Sequence, residues 1–230
     1  MLVDSSARSI LVSIGLPLMG WNVSDTAAVF LRGSLELHVQ TLPDLKIRVG
    51  TADHSCTWAV QPREDSVELG SKLPAPNEAY SRIDDYIVAF PQRFPWPFSY
   101  QLDVRVQPSS SNLLVLELWL SVQTSMLECN PQLSLLPLES RETWTCHPQF
   151  ICSADRRSAL AVHPLDLEDS HWIAKGSGGI ERLDMFGRFM EKGVIRRGRL
   201  LLVASTSSIS EKQMKDLCSD FAASHLPLTA

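Results

Sequence analysis

The sequence predicts a mainly β protein of α+β character: an antiparallel β-sandwich or strongly bent sheet, closed by one C-terminal α-helix. Three observations carry that expectation. Short apolar stretches alternate with polar residues at a period of two, as in strands with one wet face. Turn-forming residues separate them, with 14 Pro and 11 Gly in 230 residues. One stretch near the end, about 208–225, carries a helical repeat instead. Alternating βαβ units are absent, which argues against Rossmann-type and TIM folds. A single compact domain over 1–230 is expected, with a weak division near 128–132 in "LECNPQ".

The elements follow in chain order. "SILVSIGLPLMGW" is an apolar run preceded by Arg8. Asp4 is acidic, however, and no small-residue cleavage site follows. The run reads as a terminal strand or helix on the core, with secretion by an atypical signal as the alternative. No apolar run is long enough for a membrane-spanning helix. Strand candidates are "AAVFLRGSLELHVQT", "LKIRVGT", "CTWAVQ", "DSVELGS" and "DDYIVAF". The clearest unit spans Phe98 to Gln123. Phe98, Tyr100, Leu102, Val104 and Val106 share one face, and "PSSSN" makes a turn. In "LLVLELWLSVQ", apolar residues occupy both faces, as in a central strand. If residue 108 faces 114, Arg105 lies opposite Glu117; one step tighter would set Asp103 against Glu117. "SALAVHP" and "SHWIAKG" are further strands. "MFGRFMEKGVIRRGRLLLVAST" reads as a β-hairpin turning at Glu191–Lys192–Gly193, with Gly193 in the left-handed position. Ser208 and Glu211 form a capping-box pattern. Met214, Leu217, Cys218, Phe221 and Ala222 then make an apolar helical stripe, and Pro227 closes the helix.

Composition narrows the function classes. The hydrophobic fraction is 44%, the charged fraction 20% and the net charge -5. This is a globular composition with no general drive toward nucleic acid or anionic membrane. The five cysteines, Cys56, Cys129, Cys146, Cys152 and Cys218, are odd in number and share no recurring spacing. Free thiols in a reducing, cytoplasmic setting are the simplest reading. Cys146, His147 and Cys152 match no zinc pattern.

Four stretches could carry a site. "FPQRFPWPFSY" places Phe94, Trp96 and Phe98 among prolines, which suits a rigid groove for a peptide or other ligand. The plain alternative is a loop folding its aromatics onto the sheet. "HPLDLEDSH" offers His163, Asp166 and His171, with Glu168 and Asp169, as ligands for a metal that would activate water. Its spacing fits no standard motif, and a solvated acidic loop is the alternative. "KGSGG" has glycine amides that could cradle an anion, but its lysine precedes the glycines, unlike a Walker loop.

Finally, Glu181 to Leu200 holds six basic and three acidic residues, a net +3 in an acidic chain. Arg188, Arg196 and Arg197 are its candidate anion-binding residues. In the hairpin register Arg188 faces Arg196, which requires an anion from outside or a carboxylate of this chain, such as those of "DLED". Nucleophile signatures are absent.

"LELWLSVQTSMLE", "RFMEKGVIRRGRLLLV" and "SDFAASHLPLTA" together resemble an uncharacterised bacterial family of β-rich proteins with a closing helix. The resemblance covers about a quarter of the chain. It implies a bacterial cytoplasmic protein and transfers no activity and no site residues. The expectation is therefore a non-catalytic binding or interaction domain, with no cofactor, whose partner is a protein or small molecule or a second copy of itself. A metal-dependent hydrolase at His163–His171 and an anion or phosphate site at the arginines are the alternatives. Nucleic acid is disfavoured as a partner.

Overall fold

A computed structural model describes residues 20–63, 73–138, 144–175 and 179–224. Its strands are β1 (Trp21–Val23), β2 (Ala27–Arg32), β3 (Leu35–Gln40), β4 (Leu45–Gly50), β5 (Ser55–Arg63), β6 (Glu78–Arg82), β7 (Asp85–Phe90), β8 (Ser99–Gln107) and β9 (Leu113–Gln123). They continue as β10 (Glu128–Cys129), β11 (Gln132–Pro137), β12 (Trp144–Cys146), β13 (Ile151–Ser153), β14 (Ser158–Val162), β15 (Ser170–Ala174), β16 (Ile180–Phe186), β17 (Met190–Glu191) and β18 (Ile195–Ser205). A 3₁₀ helix, Pro164–Asp169, joins β14 to β15, and α1 (Glu211–Ala223) follows β18. The apolar N-terminal run before residue 20, "DSVELGS", residues 176–178 of "KGSGG", and the chain beyond 224 lie outside the described residues.

The strands form two eight-stranded antiparallel sheets. The first runs β1-β2-β3-β4-β5-β11-β16-β15, the second β12-β13-β14-β18-β9-β8-β7-β6, and β10 pairs with β17 in a separate ribbon. Period-two patterning produces the layers. In β8, Tyr100, Leu102, Val104 and Val106 are buried while the residues between them are partly exposed. One cluster of buried residues spans the inner faces of both sheets, including Leu37, Ile47, Trp58 and Leu135 from the first and Tyr86, Leu102, Leu118 and Leu202 from the second. The fold is thus mainly antiparallel β with one C-terminal helix, as the alternation predicts. Strands on either side of residues 128–132 pair directly, β5 with β11 and β9 with β18.

The β8–β9 hairpin takes the expected register, with Arg105 opposite Glu117 and Val104 opposite Leu118. β9 is buried over most of its length, because its outer residue Val115 joins Ala161, Leu201 and Val203 under Met214, Cys218 and Phe221 of α1. The helix starts slightly later than its capping-box pattern suggests. Ser210 is the N-cap, its hydroxyl accepting from the Gln213 N–H at 3.1 Å. Burial pushes the Cys218 thiol up to about 11, in keeping with a packed apolar side chain.

Two local expectations change. "AAVFLRGSLELHVQT" is a hairpin of β2 and β3 turning at Gly33, whose φ is 59°. The "MFGRFMEKGVIRRGRLLLVAST" segment is not a hairpin: β16 belongs to the first sheet and β18 to the second. Phe186 and Gly187, at φ 69° and 82°, turn the chain out of the first sheet. Met190 and Glu191 then pair with Cys129 and Glu128. Gly193 does turn left-handed, at φ 82°.

Candidate functional site

The aromatic–proline segment divides. Phe98 is 1% exposed within the inner core and Trp96 is buried beside it, whereas Phe94 is 100% exposed at the tip of the β7–β8 loop. The three do not line a common groove. Odd and even positions along an extended segment point to opposite sides, but here all three are even, so the loop itself makes the difference. The Trp96 N–H bonds back to the Arg93 carbonyl at 2.8 Å, and that turn leaves Phe94 outside.

Phe94 lies at one end of the sandwich, where three segments are bonded together. The Thr124 hydroxyl donates to the Pro97 carbonyl at 2.7 Å, and the Ser125 N–H to Gln92 Oε1 at 2.8 Å. The Gly193 N–H donates to the Thr124 carbonyl at 3.0 Å. These loops carry Phe94, Met126, Leu127, Phe189, Val194 and Ile195, all exposed. Leu165 and Leu167, also exposed, sit on the 3₁₀ helix that Arg188 ties to the same end. Together they are eight of the thirteen large apolar side chains exposed among the described residues.

The arginines do not converge. Arg188 is held by carboxylates of this chain: Nε lies 2.8 Å from Asp169 Oδ1, Nη1 is 3.2 Å from Glu168 Oε1, and Nη2 donates to the Glu168 carbonyl at 2.9 Å. Arg196 lies close to Arg188, and its guanidinium donates to the carbonyls of Arg188 at 3.4 Å and Phe189 at 2.7 Å. Arg197, the next residue along β18, points to the opposite face, is exposed and stands opposite Ser121. What sits beside Arg188 is therefore the "LED" carboxylates, and the three arginines form no common anion cradle.

His163, Asp166 and His171 are also separated. His163, at the end of β14, is 1% exposed. Its Nδ1 accepts from the Leu165 N–H at 3.2 Å and lies 2.9 Å from Arg199 Nη2, so the lone pair a metal would need is already used. Asp166 Oδ2 accepts from the Arg199 N–H at 2.9 Å. His171 lies exposed on β15, the edge strand of the other sheet, opposite Asp184. No group of three metal-capable side chains gathers among the described residues, and the expected triad is corrected accordingly.

What forms instead is a buried polar network under the C-terminal end of α1. Arg199 is 3% exposed; its Nε lies 3.7 Å from Asp166 and its guanidinium 5.8 Å from the Trp119 ring. Glu117 accepts from Trp119 Nε1 and from the Ser224 hydroxyl, each at 3.2 Å. The His163 ring meets Phe221 edge-on at 4.9 Å. Burial, with Arg199 alongside, lowers the His163 pKa. Burial raises that of Asp166, although Arg199 opposes it. These contacts tie helix, 3₁₀ turn and sheet together.

A shallow, open cleft lies at the other end of α1, lined by His147, Phe150, Cys152, Arg156, Ser210 and Met214 among others. Cys152 Sγ lies 3.6 Å from His147 Nε2. Burial pushes this thiol up, away from the thiolate that nucleophilic chemistry uses. Cys146, Cys152 and Cys218 are free thiols.

Sequence reasoning missed Arg199 and Glu117 as network members. Their signal was present: each is a charged residue flanked by apolar ones on its strand face, Arg199 beside Leu201 and Val203 and Glu117 beside Val115 and Trp119. No family model, curated protein or solved structure matches the chain. Its fold and sites define it as a two-sheet antiparallel β protein with one helix-covered outer face and an apolar loop end.

Proposed function

We propose that the chain is a non-catalytic interaction domain whose contact surface is the apolar loop end. One observation carries this reading: among the described residues, eight of thirteen exposed large apolar side chains lie there, six on segments joined by hydrogen bonds and two on the 3₁₀ helix that Arg188 ties to them. Clustered apolar exposure on an otherwise polar surface marks a site of association, whereas single exposed residues are ordinary. Phe94, Leu127 and Phe189 serve as anchors. Arg93, Glu128, Glu191 and Lys192, all exposed, form a charged rim around them. The partner is a protein with a complementary apolar patch. The free thiols of Cys146, Cys152 and Cys218 support a reducing compartment, the cytoplasm. No helix among the described residues is long and apolar enough to cross a membrane.

Photo-crosslinking in cells tests the reading. A photoreactive phenylalanine is placed at position 94 or 127, with position 31 as control. Leu31 is 40% exposed and precedes Arg32, which bonds to Gln107 at the far end of β8. The expected outcome is one shared adduct from 94 and 127 and none from 31. Equal labelling from all three positions would sink the proposal.

A further inference from the structure

We propose that β6 is a self-association edge: two copies pair their β6 strands antiparallel about a twofold axis at Tyr80, joining their second sheets into one continuous sheet. The strand "EAYSR", Glu78–Arg82, is exposed at all five positions although it belongs to an eight-stranded sheet. Among the described residues, the other sheet edges are blunted. β1 and β12 have three residues each, and β15 shifts register between Ile173 and Ala174. β6 has no proline and no bulge, so it retains the open row of donors and acceptors that such devices normally interrupt.

The ladder shows which groups face outward. The Val106 N–H bonds to the Asp84 carbonyl at 3.1 Å. Hydrogen-bonded pairs alternate along an antiparallel ladder, so Tyr86, Val88 and Phe90 turn their backbone groups toward β8. Asp85, Ile87 and Ala89 turn theirs toward Arg82, Tyr80 and Glu78 of β6. The N–H and C=O groups of Ala79 and Ser81 therefore point away from the sheet. They have no hydrogen-bond partner among the described residues.

A twofold axis at Tyr80 satisfies them. Ala79 of each copy meets Ser81 of the other, giving four backbone hydrogen bonds. The two Tyr80 residues form the close, non-hydrogen-bonded pair between them. Glu78 stands opposite Arg82 twice, once on each side of the axis. Charge fixes both this register and the choice of a second copy as occupant. Arg82, Asp85, Arg105 and Glu117 already lie opposite one another across four strands, with alternating sign. Glu78 from the second copy extends that alternation by one step. Sliding the strands by two residues sets a charge against Tyr80 and abandons both ion pairs. A twofold contact must be self-complementary, and this strand is.

The interface is small, so association is weak and concentration-dependent. Sedimentation equilibrium on the full chain from about 1 to 500 μM is expected to show a monomer–dimer equilibrium. Ser81→Pro removes an outward N–H and leaves the β7 ladder intact. Glu78→Arg sets like charges opposite Arg82. Each is expected to weaken the dimer at least about tenfold with unchanged circular dichroism, and adding Arg82→Glu to Glu78→Arg restores it. In a Cys146→Ser background, Tyr80→Cys forms a disulfide-linked dimer on mild oxidation and Ser81→Cys does not, because only position 80 faces its own copy. A monomer throughout the range overturns the proposal. So does a dimer indifferent to both Ser81→Pro and Glu78→Arg.

Discussion

Phe94 and Phe98, four residues apart in one loop, give opposite expectations when each is cut to alanine. Phe98 is 1% exposed in the inner core. Its removal deletes a full aromatic burial and leaves a cavity that the flanking strands cannot close, a loss of about 3–5 kcal/mol. A chain of this size loses about 2–4 °C in Tm per kcal/mol, so Phe98→Ala is expected to lower Tm by about 6–20 °C. Phe94 is 100% exposed. It buries nothing, and Phe94→Ala should change stability by no more than about 0.5 kcal/mol. Urea unfolding followed by tryptophan fluorescence measures both, and an apolar dye that fluoresces on exposed hydrophobic surface gives a second reading. Phe94→Ala should bind less dye at unchanged stability. A stability loss above about 1.5 kcal/mol for Phe94→Ala, or below about 1 kcal/mol for Phe98→Ala, would refute the division of this segment into core and contact surface.

Three further outcomes are expected. A Cβ at Gly50 would lie 2.2 Å from the His54 carbonyl and 2.6 Å from Ser55 Cα, at φ +145°; Gly50→Ala should cost about 3 kcal/mol or more. Gly193 also has a positive φ but meets nothing within 4 Å, so Gly193→Ala should cost about 1 kcal/mol, and equal losses in urea titrations would contradict the geometry. Burial, with Arg199, depresses His163 from its usual 6.5, so the unfolded chain takes up the proton first as pH falls. Its contribution is complete above about pH 6.5 and declines as pH drops toward the folded-state pKa. His163→Asn keeps an acceptor near Nδ1 without titrating; its stability should fall less steeply than wild type between about pH 7 and 5, and parallel curves would remove His163 as the group. Arg188 and its carboxylates are largely exposed, so Arg188→Ala should cost under about 1 kcal/mol and less still in high salt; a larger, salt-independent loss would indicate a buried role.

The legible parts of this fold were those fixed by neighbours in sequence. The β8–β9 register follows from one turn and from the sign of three charges, Asp103, Arg105 and Glu117. The helix stripe follows from its own period, with Met214, Cys218 and Phe221 buried as expected. What escaped depends on contacts between distant segments. β16 and β18 look like two arms of a hairpin because both are apolar and a glycine turn lies between them. They separate because each pairs with distant strands in a different sheet, β11 for one and β9 and β14 for the other. Short strands such as β10 and β12 exist only because a ladder was available. The candidate site followed the same division. That Arg188 needs a carboxylate was visible from charge, and "DLED" was within reach of the reasoning. That Arg199 rather than a metal claims His163 was not, since a closing helix is needed to bury them together.

The placement of β18 has a consequence for how the molecule comes together. It is the last of the described strands in chain order, yet in space it lies between β14 and β9, inside the second sheet. Until residues 195–205 arrive, the second sheet is two fragments, each presenting a raw apolar edge. The last of the described strands in chain order is thus the one that seals the middle. Assembly of this sheet is deferred until residues 195–205 have been made, and during that interval the β9 and β14 edges are where misassembly with other chains would begin. A ribosome-stalled chain ending before residue 195 is expected to remain protease-sensitive, and one extended beyond α1 to become resistant.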